Sequence, residues 1–155
     1  MIVQGEVGIG DGWWLVLQEP YEGEVNEEGG LILSQEQRLI MPQSFSFDAE
    51  SVPESPRQLL DDLVGEAKDS PDLVDLGPIT GTGWEGHLFR EPIDPDSGEY
   101  QLLATLAASG TILNLAVRYI GPEAETDARD VIERVVNDPD SRDEMNEQIR
   151  SQMGL

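Results

Sequence analysis

The clearest pattern in the chain is an alternation of apolar and polar residues on both sides of Ser109-Gly110. A tight turn at these two residues would bring four apolar pairs onto one face of two neighbouring strands, a period of two that is typical of half-buried β-structure. The pattern predicts an antiparallel hairpin over residues 100–119, whose second face is mixed and therefore partly covered or partly wet. The four pairs are Tyr100 with Tyr119, Leu102 with Val117, Ala104 with Leu115, and Leu106 with Leu113.

Two other segments repeat apolar residues at helical spacing. The first begins with an N-cap serine, Ser55, followed by Pro56 at the first helical position and by Gln58 three residues after the cap, and it ends at Ser70-Pro71. The second begins after Gly121-Pro122. Each helix is expected to pack one apolar face onto a sheet. The stripes consist of Leu59, Leu60, Leu63, Val64 and Ala67 in the first helix, and of Ala124, Ala128, Val131, Ile132 and Val135 in the second.

Further strands are predicted over 12–19, 29–34, 38–47, 73–80 and 84–91, with an acidic loop over 20–28. Consecutive strands joined by short turns favour an antiparallel sheet, and one-sided helices favour an α+β architecture. We therefore predict a mostly antiparallel β-sheet with two packed amphipathic helices, forming a single domain over residues 1–137.

Residues 138–155 are predicted to form a C-terminal helical appendage. A helix over 139–153 could be capped by Asp138, but its apolar side holds only Met145, Ile149 and Met153. So narrow a stripe fits an appendage better than a core helix. It is a candidate surface for a partner or for self-association into a homo-oligomer, against the alternative of a loosely docked tail.

Charge is the strongest compositional feature, because 32 Asp and Glu stand against 9 Lys and Arg, a formal net charge of −23. Such a chain repels polyanions, so nucleic acid and anionic membrane surfaces are not expected partners. Two causes stay open. The carboxylates either form a general solvated surface suited to a salt-rich, halophilic cytoplasm, or they form a negative face that docks a basic partner or imitates nucleic acid.

The chain contains no cysteine, which removes disulfides, thiolate nucleophiles and sulfur-based zinc sites and fits a reducing compartment. The first twenty residues lack the basic region of a signal peptide and an apolar run long enough to span a membrane. We expect a cytoplasmic protein with no cofactor.

Three patterns hint at catalysis or at a ligand, and each has a simpler interpretation. His87 is the only histidine, and no G-x-S-x-G motif places a serine beside it, so it is expected to be a strand histidine that is partly exposed or hydrogen-bonded. The glycines of 81–86 match G-x-G-x-x-G, but a strand pattern follows where a dinucleotide site needs a helix. Residues 94–99 resemble a calcium loop without its ligands, so a hairpin turn is expected.

Trp13-Trp14 is a further candidate surface, because neighbours on a strand point to opposite faces and only one can enter the same core. The other could anchor a partner, since aromatic residues dominate interface energetics. The candidate partner-binding residues are therefore Trp13, Trp14, Met145, Ile149 and Met153.

The layout also resembles the PsbP-like superfamily, which includes PsbP of photosystem II, the Ran-binding Mog proteins, DcrB-type bacterial proteins and effector-associated chaperones. The resemblance covers about residues 12–136: a strand with Gly12-Trp13-Trp14, the glycine-led strand 29–33, the helix at 59–63, a meander over 86–119 and a closing helix over 127–136. It implies a non-enzymatic adaptor or chaperone, and it assigns no functional residue.

The sequence thus predicts a non-enzymatic protein-binding module that recognises a protein segment through a sheet face or groove. The alternative is an acidic inhibitor or immunity-type protein that blocks a basic surface electrostatically; such a blocker would lose affinity sharply with added salt. A third hypothesis, an unrecognised hydrolase, would require His87.

Overall fold

A computed structural model describes residues 1–47 and 55–154 of the chain. Most of them belong to β-strands, and the described residues also form three α-helices and three short 3-10 helices. The strands are β1 (Ile2–Gly10), β2 (Trp13–Val25), β3 (Leu31–Gln35), β4 (Arg38–Ser46), β5 (Val74–Gly81), β6 (Trp84–Asp94), β7 (Glu99–Ala108), β8 (Thr111–Ile120) and β9 (Val136–Asn137). The helices are α1 (Pro56–Ala67), α2 (Glu125–Glu133) and α3 (Glu147–Gln152).

The strands form one antiparallel sheet in the order β1-β2-β3-β4-β8-β7-β6-β5. The predicted hairpin is β7–β8, and all four predicted pairs are present in the predicted register. The short strand β9 pairs with the start of β2, and its Val136 also bridges Thr82 at the turn between β5 and β6. The sheet therefore curls until two distant parts of it are linked through β9.

The two faces of the sheet are covered differently. The inner face, which carries Leu102, Leu113 and their neighbours in the main core, is covered by α2 and by the curled β1–β2 hairpin. The outer face, which carries Ala107 and Ile112, is covered in part by α1. This confirms the predicted α+β architecture with two packed helices and a second face that is only partly covered.

The predicted start of α1 is confirmed, because the side-chain oxygen of Ser55 accepts a hydrogen bond from the N–H of Gln58 at 3.2 Å. In α2 the buried positions are Ala128 and Ile132, as its stripe predicted. None of the helices within the described residues combines the length and the apolar character that crossing a bilayer requires.

The prediction of an acidic loop over residues 20–28 is wrong for its first part, because β2 continues to Val25. Buried Tyr21 and Gly23 alternate there with exposed Glu22 and Glu24, so the strand is acidic in composition but still alternates. The strands predicted from the sequence also do not include β1, which pairs with β2 along its length.

The prediction of a helix over 139–153 is wrong in extent. Only Glu147–Gln152 is α-helical, and its cap is Asn146. Asp138 does act as a cap, accepting a hydrogen bond from Asp140 N at 3.0 Å, but the turn that it caps is the short 3-10 helix Pro139–Ser141. The preceding residues instead lie along the β1–β2 turn, where Asp11 N donates to Arg142 O at 3.1 Å and Asn146 N donates to Gly8 O at 2.8 Å. The predicted boundary after residue 137 stays a prediction, but hydrogen bonds tie the segment beyond it to the sheet.

Candidate binding groove

The outer face of the sheet is half covered and half open. Leu60 and Val64 of α1 pack against Phe89, Ala107 and Ile112 and seal the half formed by one end of β6, β7 and β8. Towards β4 the same face carries the partly buried side chains of Met41 and Ala116, above which the described residues place no helix, and Leu103 at the border of the α1 cluster. Within residues 1–47 and 55–154, a strip of the sheet around Met41 and Ala116 is therefore left uncovered beside α1.

The sheet also splits beside this strip. β3 and β4 pair only from Gln35↔Arg38 to Leu33↔Ile40, although β4 runs on to Ser46 and stays paired with β8 throughout. Beyond the pair Leu33↔Ile40, β3 stays paired with β2, and β4 stays paired with β8. The split lies between the two strands at the point where they diverge.

Pro42 lies where the β3–β4 ladder stops. Continuing the register would place Pro42 opposite Leu31, and proline has no N–H to donate across that pair. The ladder is therefore interrupted at the first position that cannot supply its hydrogen bond.

The uncovered strip and the split form one groove of about 770 Å³. Its floor is the open part of the outer face. One wall is formed by the last residue of α1, Ala67, and by Leu73 in the segment that follows, and the other wall is the β2–β3 loop around Glu28. The split leads from this floor to Ile9, Met145 and Met153, so the interior end of the groove is apolar.

The groove has polar side chains on its floor, such as Thr105 and Asn114, and a polar corner. Gln101 and Arg118 face each other across β7 and β8, and the amide N–H of Gln101 donates to Glu91 at 2.9 Å. The Gln101 side-chain oxygen is buried, and no described residue donates a hydrogen bond to it. Arg118 Nε is also buried, and it lies 3.9 Å from Glu99 Oε1 in an ion pair.

The single histidine lies outside the groove. His87 Nε2 donates to Asp75 Oδ1 at 2.6 Å, and its ring lies against Phe89 with centroids 4.9 Å apart. This hydrogen bond is the main reason that the pKa of Asp75 lies below its usual value, and the N–H of Gly77 adds to the effect. His87 is thus a hydrogen-bonded strand histidine, as predicted.

The two loop motifs also have the predicted structures. The G-x-G-x-x-G segment is the turn between β5 and β6, with Gly83 at φ +83° against the backbone of Asn137. Residues 94–99 form the turn between β6 and β7, closed by Gly98 at φ +76°. Within residues 1–47 and 55–154, no group of three or more His, Asp and Glu side chains is arranged to hold a metal ion.

The five predicted partner-binding residues lie in different environments. Trp13 and Ile149 are completely buried, and Trp13 Nε1 donates to Thr111 Oγ1 at 2.9 Å. Trp14 is partly buried, with its Nε1 donating to Ser141 Oγ at 2.8 Å. Trp13 and Ile149 therefore contribute to the folded core, and the partner-binding role proposed for the set stays a prediction.

Met145 and Met153 are the two members of that set that the structure brings to the groove, at its interior end. Self-association through the C-terminal segment also stays a prediction. Sequence reasoning missed Met41, Gln101 and Arg118. A proline inside a strand pattern was the one available signal, since Pro42 marks an edge in a strand that otherwise appears central.

No protein-family model matches this sequence, and no curated protein sequence matches it significantly. Solved structures do match. A protein from Bacteroides thetaiotaomicron has a TM-score of 0.61 at 13% identity over 88% of this chain and 49% of its own, so this chain spans about half its length. Cyanobacterial PsbP (CyanoP) from Synechocystis sp. PCC 6803 has a TM-score of 0.54 at 6% identity, over 89% of this chain and 92% of its own.

LpqN, involved in cell envelope biogenesis of Mycobacterium tuberculosis, has a TM-score of 0.47 at 16% identity, over 87% of this chain and 90% of its own. At such identities the similarity concerns the fold alone. The match to CyanoP covers nearly all of both chains and agrees with the layout that the sequence indicated. The chain therefore has a PsbP-like α+β fold.

Proposed function

We propose that this chain is a non-catalytic protein-binding module that holds an apolar segment of a partner protein in the groove. The observation that carries the proposal is the strip of the outer face that the described residues leave uncovered, whose floor combines apolar Met41 and Ala116 with polar side chains such as Asn114, and which has two walls and an apolar interior end. Concave, mostly apolar surfaces with a few polar groups are the usual form of a binding site. An adaptor or chaperone role, as the PsbP-like resemblance implies, is the concrete form of this function.

The methionines of the groove favour a site that accepts several related segments. Met41 lies on the floor, and Met145 and Met153 lie at the interior end. Unbranched thioether side chains repack around different apolar shapes at small cost. The proposal that the chain is not an enzyme is supported by the PsbP-like resemblance, which implies a non-enzymatic adaptor or chaperone.

Charge gives the partner a second property. Exposed Glu24, Glu27 and Glu28 lie in the β2–β3 hairpin that walls the groove, on a chain with a formal net charge of −23. A segment with basic flanks would be attracted to this wall, whereas an acidic one would be repelled. The proposed partner segment is therefore apolar at its centre and basic at its ends.

The test uses a fluorescent peptide in which a short run of valine and leucine is flanked on each side by two lysines, called here the Lys-flanked peptide. Met41→Asp places a charge on the groove floor and is expected to weaken its binding at least tenfold in fluorescence anisotropy. Ile120→Asp makes the same change at an exposed position outside the groove and is the matched control. Equal affinity in both variants would overturn the proposal.

A second candidate is the acidic inhibitor or immunity-type protein, favoured by the same exposed carboxylates. A control peptide with the lysines but with serine and glycine in place of the apolar run separates the two. An electrostatic blocker would bind both peptides alike and lose both on adding salt, because surface charges are screened. A groove binder would prefer the Lys-flanked peptide and keep most of that preference in salt.

The acidic surface is further proposed to suit a salt-rich cytoplasm. At 1 M salt the Debye length falls to roughly 3 Å, so the repulsion among the carboxylates is screened. The unfolding midpoint should then rise steeply through molar KCl. A midpoint that does not respond to KCl would remove this part of the proposal while leaving the groove unaffected.

A further inference from the structure

We propose that the segment in the groove binds by strand addition, pairing its main chain with the free edge of β4 in the split between β3 and β4. The inference rests on the proposed function and specifies its mode of recognition. Adding an extended peptide to an exposed sheet edge is a general form of protein recognition, in which main-chain hydrogen bonds supply affinity and side-chain pockets supply specificity.

The direction of the β4 peptide groups follows from the hairpin registers. A two-residue turn is closed by a hydrogen-bonded pair, and hydrogen-bonded pairs then recur at every second residue. In the β3–β4 hairpin the series begins at Arg38 and continues through Ile40, so the peptide groups of Pro42 and Ser44 point to the β3 side.

The neighbouring hairpin gives the same result independently. β7–β8 is closed by Ala108↔Thr111, so the odd-numbered residues of β8 direct their peptide groups to β7 and the even-numbered ones direct theirs to β4. The partners of those even-numbered residues are Met41 and Gln43. Pro42 and Ser44 must therefore face away from β8 and into the split.

The edge supplies both kinds of hydrogen-bonding group. No strand of the described chain pairs with β4 on this side beyond Ile40. Ser44 offers an N–H and a C=O there, and Pro42 offers a C=O. All of them border the groove, and Leu31 borders it from the other side. An added strand would thus complete a ladder that β3 begins and then leaves.

The surroundings define the side chains of such a strand. Residues of an added strand would point alternately to the outer face, beside Ile32 and Met41, and to the interior end, beside Ile9 and Met145. The side chains of Ile32, Met41, Ile9 and Met145 are apolar, so the segment needs consecutive apolar residues beside them, as a strand buried on both faces does. The exposed carboxylates of the β2–β3 hairpin select basic residues at its ends.

The first test removes the backbone N–H of Ser44, which is the hydrogen-bond donor of the β4 edge. Ser44→Pro deletes the N–H that faces the split and leaves the pairing of β4 with β8 intact, because this N–H does not face β8. Ser44→Ala is the matched control, since it removes only the hydroxyl that donates to Asp11. We expect Ser44→Pro to weaken binding of the Lys-flanked peptide at least tenfold and Ser44→Ala to change it less than about threefold.

The second test leaves the protein unchanged and so does not depend on the folding of a variant. Two versions of the Lys-flanked peptide carry N-methyl groups on the backbone nitrogens of alternate residues. One version is methylated at the odd-numbered residues and the other at the even-numbered residues, and we call these two patterns the two frames. A paired strand directs the two sets of amides to opposite sides, so at least one frame should lose binding tenfold or more. Undiminished binding of both frames would overturn strand addition.

The outcomes separate this inference from the proposed function. If Met41→Asp abolishes binding while neither N-methyl frame does, the groove binds the segment by its side chains and only strand addition fails. If the unmethylated peptide does not bind, both fail. Light scattering tests whether a second copy of this chain occupies the edge instead. If the unliganded chain is a dimer and Ser44→Pro dissociates it, the edge belongs to the second copy and the proposal is overturned.

Discussion

Two hairpins of the same sheet begin alike and end differently. β3–β4 and β7–β8 each have a two-residue turn, and β4 and β8 lie side by side. β7–β8 stays paired from Ala108↔Thr111 to Glu99↔Ile120, whereas β3–β4 loses its pairing after Leu33↔Ile40. One hairpin forms the centre of the sheet, and the other opens into the groove.

The difference has two physical causes. β8 has a strand on each side, with Leu113 buried on the inner face and Ile112 buried under α1. β4 has the outer face open to the groove beside Met41, and Pro42 cannot donate the next ladder hydrogen bond. We infer that the missing N–H of Pro42, in a strand whose outer face the described residues leave uncovered, ends the β3–β4 pairing where the split begins.

The largest expected difference between the hairpins is in core packing. Leu113→Ala should lower the free energy of unfolding by about 3 kcal/mol, because the removed side chain is fully buried and leaves a cavity. Leu39→Ala makes the same change at a half-buried position of β4 and should cost below about 1 kcal/mol. Urea unfolding of both variants measures the two values, and comparable costs would contradict the contrast between the hairpins.

A second expected effect concerns the hydrogen bonds that tie β8 to its surroundings. Thr111 Oγ1 accepts from Trp13 Nε1 at 2.9 Å and donates to Phe45 O at 2.8 Å. Thr111→Val keeps the shape and leaves the Trp13 N–H buried without a partner, which should cost about 2 kcal/mol. Thr105→Val, at a partly exposed position of the same hairpin, should cost below about 0.5 kcal/mol in the same thermal unfolding experiment.

The continuous hairpin was predictable from sequence, and the broken one was predictable only in part. The register of β7–β8 followed from period-two alternation, because a slip of one residue would expose Leu106 and Leu113. The capping residues of α1 predicted its start. The sequence did not predict β1, because Gly5, Gly8 and Gly10 interrupt its alternation of apolar and polar residues. Its register with β2 also shifts between Val3 and Gly5 and again between Gly8 and Gly10.

The groove was not predictable from local pattern. Its residues come from β4, β7, β8, the β2–β3 loop and the C-terminal segment, and only the sheet order brings them together. The sequence predicted that the second face of β7–β8 would be partly covered or partly wet. It could not show that α1 covers one half while the strip at Met41 and Ala116 stays open.

A third prediction tests the cause of the split. Pro42→Ala restores an N–H that can donate to the carbonyl of Leu31 and so extend the β3–β4 ladder by one pair. The gain of about 1 kcal/mol from the hydrogen bond is offset by a more flexible unfolded chain, so stability should change by less than about 1 kcal/mol. The informative measurement is hydrogen exchange, in which the new amide at position 42 should be protected.

Binding should respond to the same substitution. A longer β3–β4 ladder narrows the split, so the Lys-flanked peptide should bind Pro42→Ala several-fold more weakly than the original chain. Rapid exchange of the new amide together with unchanged peptide affinity would show that β3 diverges from β4 for a reason other than the missing donor.

The smallest expected effect tests whether β7–β8 stays closed at the end far from its turn. Burial raises the pKa of Tyr119 to about 12, and the negative charge of Glu125 adds to the rise. An unfolded chain would release this proton near pH 10, so the stability that the neutral phenol contributes is complete below about pH 10 and is lost as pH rises towards about 12. Tyr119→Phe should therefore flatten the alkaline fall of the unfolding midpoint over this interval. If the unfolding midpoint of Tyr119→Phe falls with alkaline pH as steeply as that of the original chain, water reaches the phenol. The contrast between a closed β7–β8 hairpin and an open β3–β4 hairpin would then hold only near their turns.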